Sequence, residues 1–202
     1  NVKGVTANLY FMSKEEMDNE LKYPKEINVL TMFKQAKQTL ESYKLDCNIL
    51  YSIEGCDYIR DTKELEELSK EGLNSILLVW NNPNKYGSGI RSNKGLTEEG
   101  KQFIQKAIDL KLGIDLSHTN ESTFNDIIKI IKENQDKGKQ VICYASHSNI
   151  KNIQNNPRNL NDNQLQQLKE VGGYLGLVAY RDFLSNSNDL EELKKAYIKH
   201  II

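Results

Sequence analysis

The sequence has no apolar run approaching the ~20 residues that a membrane-spanning helix needs. It has almost no net charge: 27 Lys and Arg stand against 28 Asp and Glu, giving −1. Without a basic excess, no nucleic-acid partner is expected. Cysteine is scarce, and its count of three is odd; Cys47, Cys56 and Cys143 form no Cys-x-x-Cys. A reducing, cytoplasmic setting is therefore expected. No Gly-x-Gly-x-x-Gly follows the first predicted strand, and no Gly-Lys-Ser/Thr phosphate loop occurs. That excludes the commonest nucleotide sites of α/β proteins. Internal repeats and low-complexity segments are absent. Asn1-Val-Lys-Gly-Val5 carries neither an initiator Met nor a charged-then-apolar leader. The 202 residues, 38% hydrophobic and 27% charged, have the composition of a globular chain with one sizeable core.

Histidine is scarce too, with three in all. Two of them close similar segments: Gly113-Ile-Asp-Leu-Ser-His118 and Val141-Ile-Cys-Tyr-Ala-Ser-His147. One helix-length segment, 120–137, lies between. The pattern predicts strand–helix–strand with a Ser-His at each strand's carboxyl end. Parallel neighbours lie about 4.8 Å apart. Two imidazoles so placed converge on one point, as metal ligands must. The other open reading makes each a hydrogen-bonded polar residue at a strand end.

The rest of the chain alternates in the same way. Strands are predicted over 2–11, 46–54, 74–80 and 173–180, besides those ending at His118 and His147. Helices are predicted over 26–44, 61–71, 97–112, 120–137, 161–171 and 188–202. Residues 13–25, with Pro24, read as a loop with room for a short helix; 81–94 and 149–159 read as loops. Asp61-Thr-Lys-Glu64 resembles a capping box. About six β/α units follow, in one domain over 1–202, with parallel strands and right-handed crossovers. An open doubly wound sheet and a (β/α) barrel both fit. Polar residues recur at strand carboxyl ends (Glu54, Trp80-Asn81, His118, His147, Tyr180), the rim from which barrel sites are built.

Glu54, alone, is a surface glutamate before turn glycine Gly55; beside two histidines on one rim, the ligand reading leads. Alternation sends Asp115 away from His118, which favours a structural role over support of a ligand. Arg158, in Asn-Pro-Arg-Asn159, can clamp a carboxylate, yet by itself reads as a solvated loop arginine. Cys56 and Cys143 read as small buried residues. His200, near the end of the last helix, suits the helix dipole as a cation and is given no chemistry.

Ile53-Glu-Gly55, Ile114-Asp-Leu-Ser-His118, Ser146-His-Ser148, Pro157-Arg-Asn-Leu160 and Gly172-Gly173 stand in the order and approximate spacing of the membrane dipeptidase (renal dipeptidase) family of zinc peptidases. The chain resembles that family over nearly its whole length, its bacterial members most. The resemblance implies a (β/α)8 TIM-barrel-type fold and hydrolysis of dipeptides by a metal-activated water at a two-zinc site. It implies Glu54 as the carboxylate bridging the metals and His118 and His147 as ligands of one of them. It implies Arg158 on the dipeptide carboxylate, with Tyr180, Trp80 and Asn81 lining the substrate pocket. Departures are also expected. The family's first-strand His-x-Asp and its late aspartate-bearing strand have no counterpart here, so the barrel reads as incomplete at both ends. A histidine of animal members aligns with Trp80. This chain is accordingly expected to hold at most one metal well and to show little peptidase activity. A homodimer is compatible with the reading. The alternatives are another metal-dependent amide or lactone hydrolase, and a non-catalytic binding protein on the same fold.

Overall fold

The computed structural model describes residues 3–10 and 28–201. The loop expected over 13–25, the strand ends Val2 and Phe11, the helix start Glu26-Ile27 and the last residue, Ile202, lie outside the described residues. Six strands are present there: β1 (Gly4–Tyr10), β2 (Asn48–Glu54), β3 (Leu73–Leu77), β4 (Gly113–Asp115), β5 (Cys143–Ser148) and β6 (Tyr174–Leu177). They pair in sequence order, and every pairing is parallel. Thr6 of β1 and Tyr174 of β6 line one 560 Å³ cavity on the concave side, so the sheet is curled into a partial barrel. Among the described residues β1 and β6 each pair along one edge only.

The helices lie on the convex side. They are α1 (Val29–Ser42), α2 (Thr62–Lys70), α3 (Glu98–Asp109), α4 (Glu121–Gln135), α5 (Asp162–Glu170), α6 (Arg181–Leu184) and α7 (Leu190–Ile201). Strand period 2 turns Ile53, Ile76, Ile114 and Ala145 outward, and helical period 3.6 turns Phe33, Leu65, Phe103 and Phe124 inward to meet them. Each such large side chain contributes about 1.5–3 kcal/mol on burial. Helix starts are fixed by side-chain caps: Asn28, Asp61, Thr97, Asn120 and Asn161 each accept a first-turn N–H. Asn161 and Gln164 form a complete capping box. At Asp61 only half of the expected box forms, because the Glu64 carboxylate accepts from Arg60 N at 2.6 Å instead.

The strands stop earlier than the apolar runs suggest. β3 ends at Leu77 rather than Trp80, β4 at Asp115 rather than His118, and β6 at Leu177 rather than Tyr180. In each case the chain bends away at the rim to make loop contacts. The short helix α6 is not signalled by the sequence. His200 is also placed differently from the expectation. It is buried, its Nδ1 accepts from Ile150 N at 3.1 Å, and burial pulls its pKa below the ordinary 6.5. It therefore serves as a neutral tie between α7 and the segment after β5, not as an exposed cation on the helix dipole.

Candidate metal centre at the barrel rim

Glu54 is the last residue of β2. Gly55 follows with φ +85°, a conformation that favours glycine, and its N–H continues the ladder to Leu77 O at 2.9 Å. The carboxylate is thus held at the rim. His147 lies within β5, one residue from its end. His118 lies three residues beyond β4, in a turn, with φ +70°. A non-glycine residue in this left-handed region costs about 1 kcal/mol or more, and such strain gathers at functional sites. The turn swings the imidazole back over the strand ends, which a continued strand would not do.

These three residues from three elements meet. His118 Nε2 is 2.9 Å from His147 Nε2, and Glu54 Oε1 is 3.2 Å from the first and 3.7 Å from the second. Together they form a group able to hold a metal ion. A tetrahedral zinc with Zn–N bonds near 2.0–2.1 Å sets its nitrogen ligands about 3.3 Å apart, so small side-chain adjustments fit the ion. The donor set suits it as well. Asn81 Oδ1 lies 2.9 Å from His118 Nδ1 and accepts that N–H, leaving the Nε2 lone pair free for a metal.

Burial, Arg158 and His147 depress the His118 pKa to about 2 against the opposing charge of Asp115. His147 is likewise held below 6.5, mainly by burial, with Asp115 and Glu54 opposing. Both rings are therefore neutral in the folded protein near pH 7. The unfolded chain takes up protons below about pH 6.5, and the folded one does not. Stability is therefore full above pH 6.5 and is lost as pH falls. Between pH 6.5 and 5, His118 alone accounts for about 2 kcal/mol, or roughly 4–8 °C in Tm of the metal-free protein. His118→Asn, a side chain that also tolerates positive φ, should flatten this slope by one proton in pH-dependent urea melts.

The residues around the centre divide by what they touch. Trp80 stacks on His118 at 5.5 Å between ring centres and packs against Tyr10. Asn81, next to Trp80, has its side-chain oxygen on His118. The 81–94 segment is a loop, as expected, and it is pinned down. Asn120 Nδ2 donates to Ser92 O and Lys94 O at 2.6 and 2.7 Å, and Gly89 bridges Thr119, the residue after His118.

Arg158 is 7% exposed, so the solvated-loop reading does not hold. Its guanidinium lies over the Phe183 ring at 5.4 Å and donates to His147 O at 3.5 Å. Burial lowers its pKa to about 10, with Glu54 and Asp115 resisting the fall; the group keeps its charge. Tyr180 is half-exposed and packs edge-on against the same Phe183. Asn149 and Asn159 fasten this segment: Asn149 Nδ2 donates to Val178 O at 3.0 Å, and Asn159 Nδ2 to Phe183 O at 2.9 Å. Cys56 and Cys143 are buried, with thiol pKa values pushed up by burial, and take no part in the centre.

Sequence reasoning gave no role to Ser117 or Ser146, although each precedes a histidine. Ser117 Oγ accepts from His147 N at 3.1 Å, and Ser146 Oγ lies 2.7 Å from His147 Nδ1. Asp115 is buried and accepts from Ser117 N and Ser146 N, both at 3.0 Å, and from the Ser146 hydroxyl. Asp115 thus ties the two Ser-His segments together beside the group able to hold a metal ion.

A family profile described as "Membrane dipeptidase (Peptidase family M19)" matches residues 14–202. The chain belongs to the membrane dipeptidase family. Among curated proteins, an uncharacterized protein in the PQQ-III 3′ region of Acinetobacter calcoaceticus is 30% identical over 164 residues, covering 77% of this chain and 49% of that protein. Dipeptidase ataJ of Aspergillus terreus is 33% identical over 89 residues, 44% of this chain and 20% of that one. The chain spans about half the length of the first of these relatives. A Rhodobacter sphaeroides metallo peptidase, solved with a phosphinate mimic of the dipeptide L-Ala-D-Ala, superimposes with TM-score 0.73 at 22% identity, over 98% of this chain and 70% of that one. This likeness bears on fold alone: six parallel strands of a dipeptidase-type TIM barrel. Among the described residues, no helix is long and apolar enough to cross a membrane.

Proposed function

We propose that this membrane dipeptidase family chain carries part of a zinc-dependent dipeptidase site. The observation that carries the reading is the convergence of Glu54, His118 and His147 at one rim of the sheet, with ligand atoms all within 4.8 Å of one another. Glu54 would hold metal through its carboxylate, and the two histidines through Nε2. Bound zinc would lower the pKa of a water and polarise the scissile carbonyl.

The rest of the assignment concerns this chain's own groups. Arg158, charged and shielded from water, would take the free carboxylate of a dipeptide in a bidentate pair, worth more in that setting than at the surface. Tyr180 and Trp80 would flank the substrate. Asn81 would hold the His118 ring in the ligating orientation. Support for the substrate class comes from the family and from the dipeptide mimic bound by the Rhodobacter sphaeroides relative. An arginine buried beside the ligands favours a substrate with a free carboxylate over a lactone or simple amide.

A test that does not depend on turnover separates these parts. The chain is loaded with zinc, and calorimetry follows binding of a phosphinate dipeptide mimic and of its carboxyl amide. We expect the free acid to bind more tightly than the amide, and Arg158→Ala to cost the acid at least about tenfold while leaving the amide unchanged. Zinc uptake no greater than that of a His118→Ala, His147→Ala double variant would defeat the metal reading. Equal affinity for acid and amide would defeat the dipeptide reading.

A further inference from the structure

We propose that Asp115, through Ser146, sets the tautomer and the direction of His147, making these two side chains positioning residues of the metal centre. The inference rests on the zinc reading above.

A carboxylate can only accept hydrogen bonds. The Ser146 hydroxyl that meets Asp115 Oδ2 must therefore donate to it. That hydroxyl has one proton, so its contact with His147 Nδ1, at 2.7 Å, is made through an oxygen lone pair. Nδ1 must then carry the hydrogen, and the free lone pair of His147 falls on Nε2. Nε2 is the atom that faces His118 and Glu54. The polarity of the chain Asp115–Ser146–His147 thus runs one way.

Asp115 also fixes where the ring sits. Its Oδ1 accepts from Ser117 N and from Ser146 N, both at 3.0 Å, which joins the turn carrying His118 to the strand carrying His147. A reciprocal bond runs from His147 N to Ser117 Oγ at 3.1 Å. The two Ser-His ends therefore interlock, each serine serving the histidine of β5. Asp115 is 2% exposed, so water competes little for these bonds. Partners of this kind around a ligating histidine typically govern 10–100-fold in metal affinity.

The test uses two readouts. In metal-free protein, long-range ¹H–¹⁵N NMR reports the His147 tautomer; zinc affinity is measured against a chromophoric chelator. In the wild type, Nδ1 should be protonated. Ser146→Ala should mix the tautomers and weaken zinc 10–100-fold. Ser146→Thr, which keeps the hydroxyl, should restore both to near wild type. Asp115→Asn, which supplies an N–H and removes the obligate acceptor, should also weaken zinc at least tenfold. If His147→Ala abolishes zinc binding while Ser146→Ala leaves tautomer and affinity unchanged, this inference fails and the zinc reading survives. If His147→Ala itself has no effect on zinc, the zinc reading fails.

Discussion

Glu54→Ala should lower zinc affinity by on the order of a hundredfold or more, while shifting the thermal midpoint of the metal-free protein by only a few degrees. Glu54 supplies the only carboxylate of the three-residue group, and burial keeps the two imidazoles neutral. Structural zinc sites in small peptides gain about 10–16 kcal/mol from four ligands, so one ligand accounts for about 3 kcal/mol, near two powers of ten. The carboxylate is not part of the core: its close partners are the two histidines, and it sits at the rim beyond the packed β2 residues Ile53 and Tyr51. Competition with a chelating dye, alongside differential scanning calorimetry of metal-free protein, measures both effects. Unchanged affinity in Glu54→Ala would mean that the ion is held elsewhere. A large fall in the metal-free midpoint would mean that Glu54 is a structural residue, and the interpretation of the histidine pair would have to change with it.

A second large effect is expected at a residue with no chemistry. A Cβ at Gly89 would lie 1.9 Å from Trp80 O and 2.6 Å from the Asn81 carbonyl carbon. Both neighbours are backbone, so no side-chain rotation relieves the clash. The loop must move away from Trp80-Asn81, and with it go the ring stacked on His118 and the amide that orients it. Gly89→Ala should cost about 3 kcal/mol, the upper end for overpacking, and lower Tm by roughly 6–12 °C for a chain of this size. Zinc affinity should fall too. Asn81→Ala is the control: it should weaken zinc by about 10–100-fold with little loss of stability, since it removes only the orienting acceptor. If Gly89→Ala melts like wild type, the loop is not seated as described.

Much of the architecture is legible from periodicity. Apolar runs such as Ile76-Leu-Leu-Val79 and the spaced apolar faces of 98–109 and 121–135 require buried strands and amphipathic helices, and they occur as such. The two Ser-His segments mark the rim because imidazole is rare in this chain. What was not legible has specific causes. A rule based on strand alternation fails at His118, since β4 stops three residues earlier and the backbone turns through positive φ. Asp115 therefore reaches His147 through Ser146, a partner 31 residues away, which no local pattern encodes. Arg158 reads as solvated because its neighbours in sequence are polar. Its burial comes from Phe183 and from the asparagines that fold 149–159 against α6. Short α6 itself has four residues, too few to show a period.

The strict sequential order of the six strands bears on how the chain folds. Each of β2 to β6 pairs with the strand before it, so among the described residues no pairing skips over an intervening strand. Parallel partners are nonetheless tens of residues apart, as Gly4 and Asn48 or Ser75 and Gly113 are, so each step of sheet growth closes a loop before its contacts form. Glu54, Asn81, His118 and His147 are spread over four successive units of that growth. The group able to hold an ion, Glu54, His118 and His147, is complete only once β2 through β5 are all in place. A cation bound there would then act as a staple, tying the carboxyl ends of those strands together as a block.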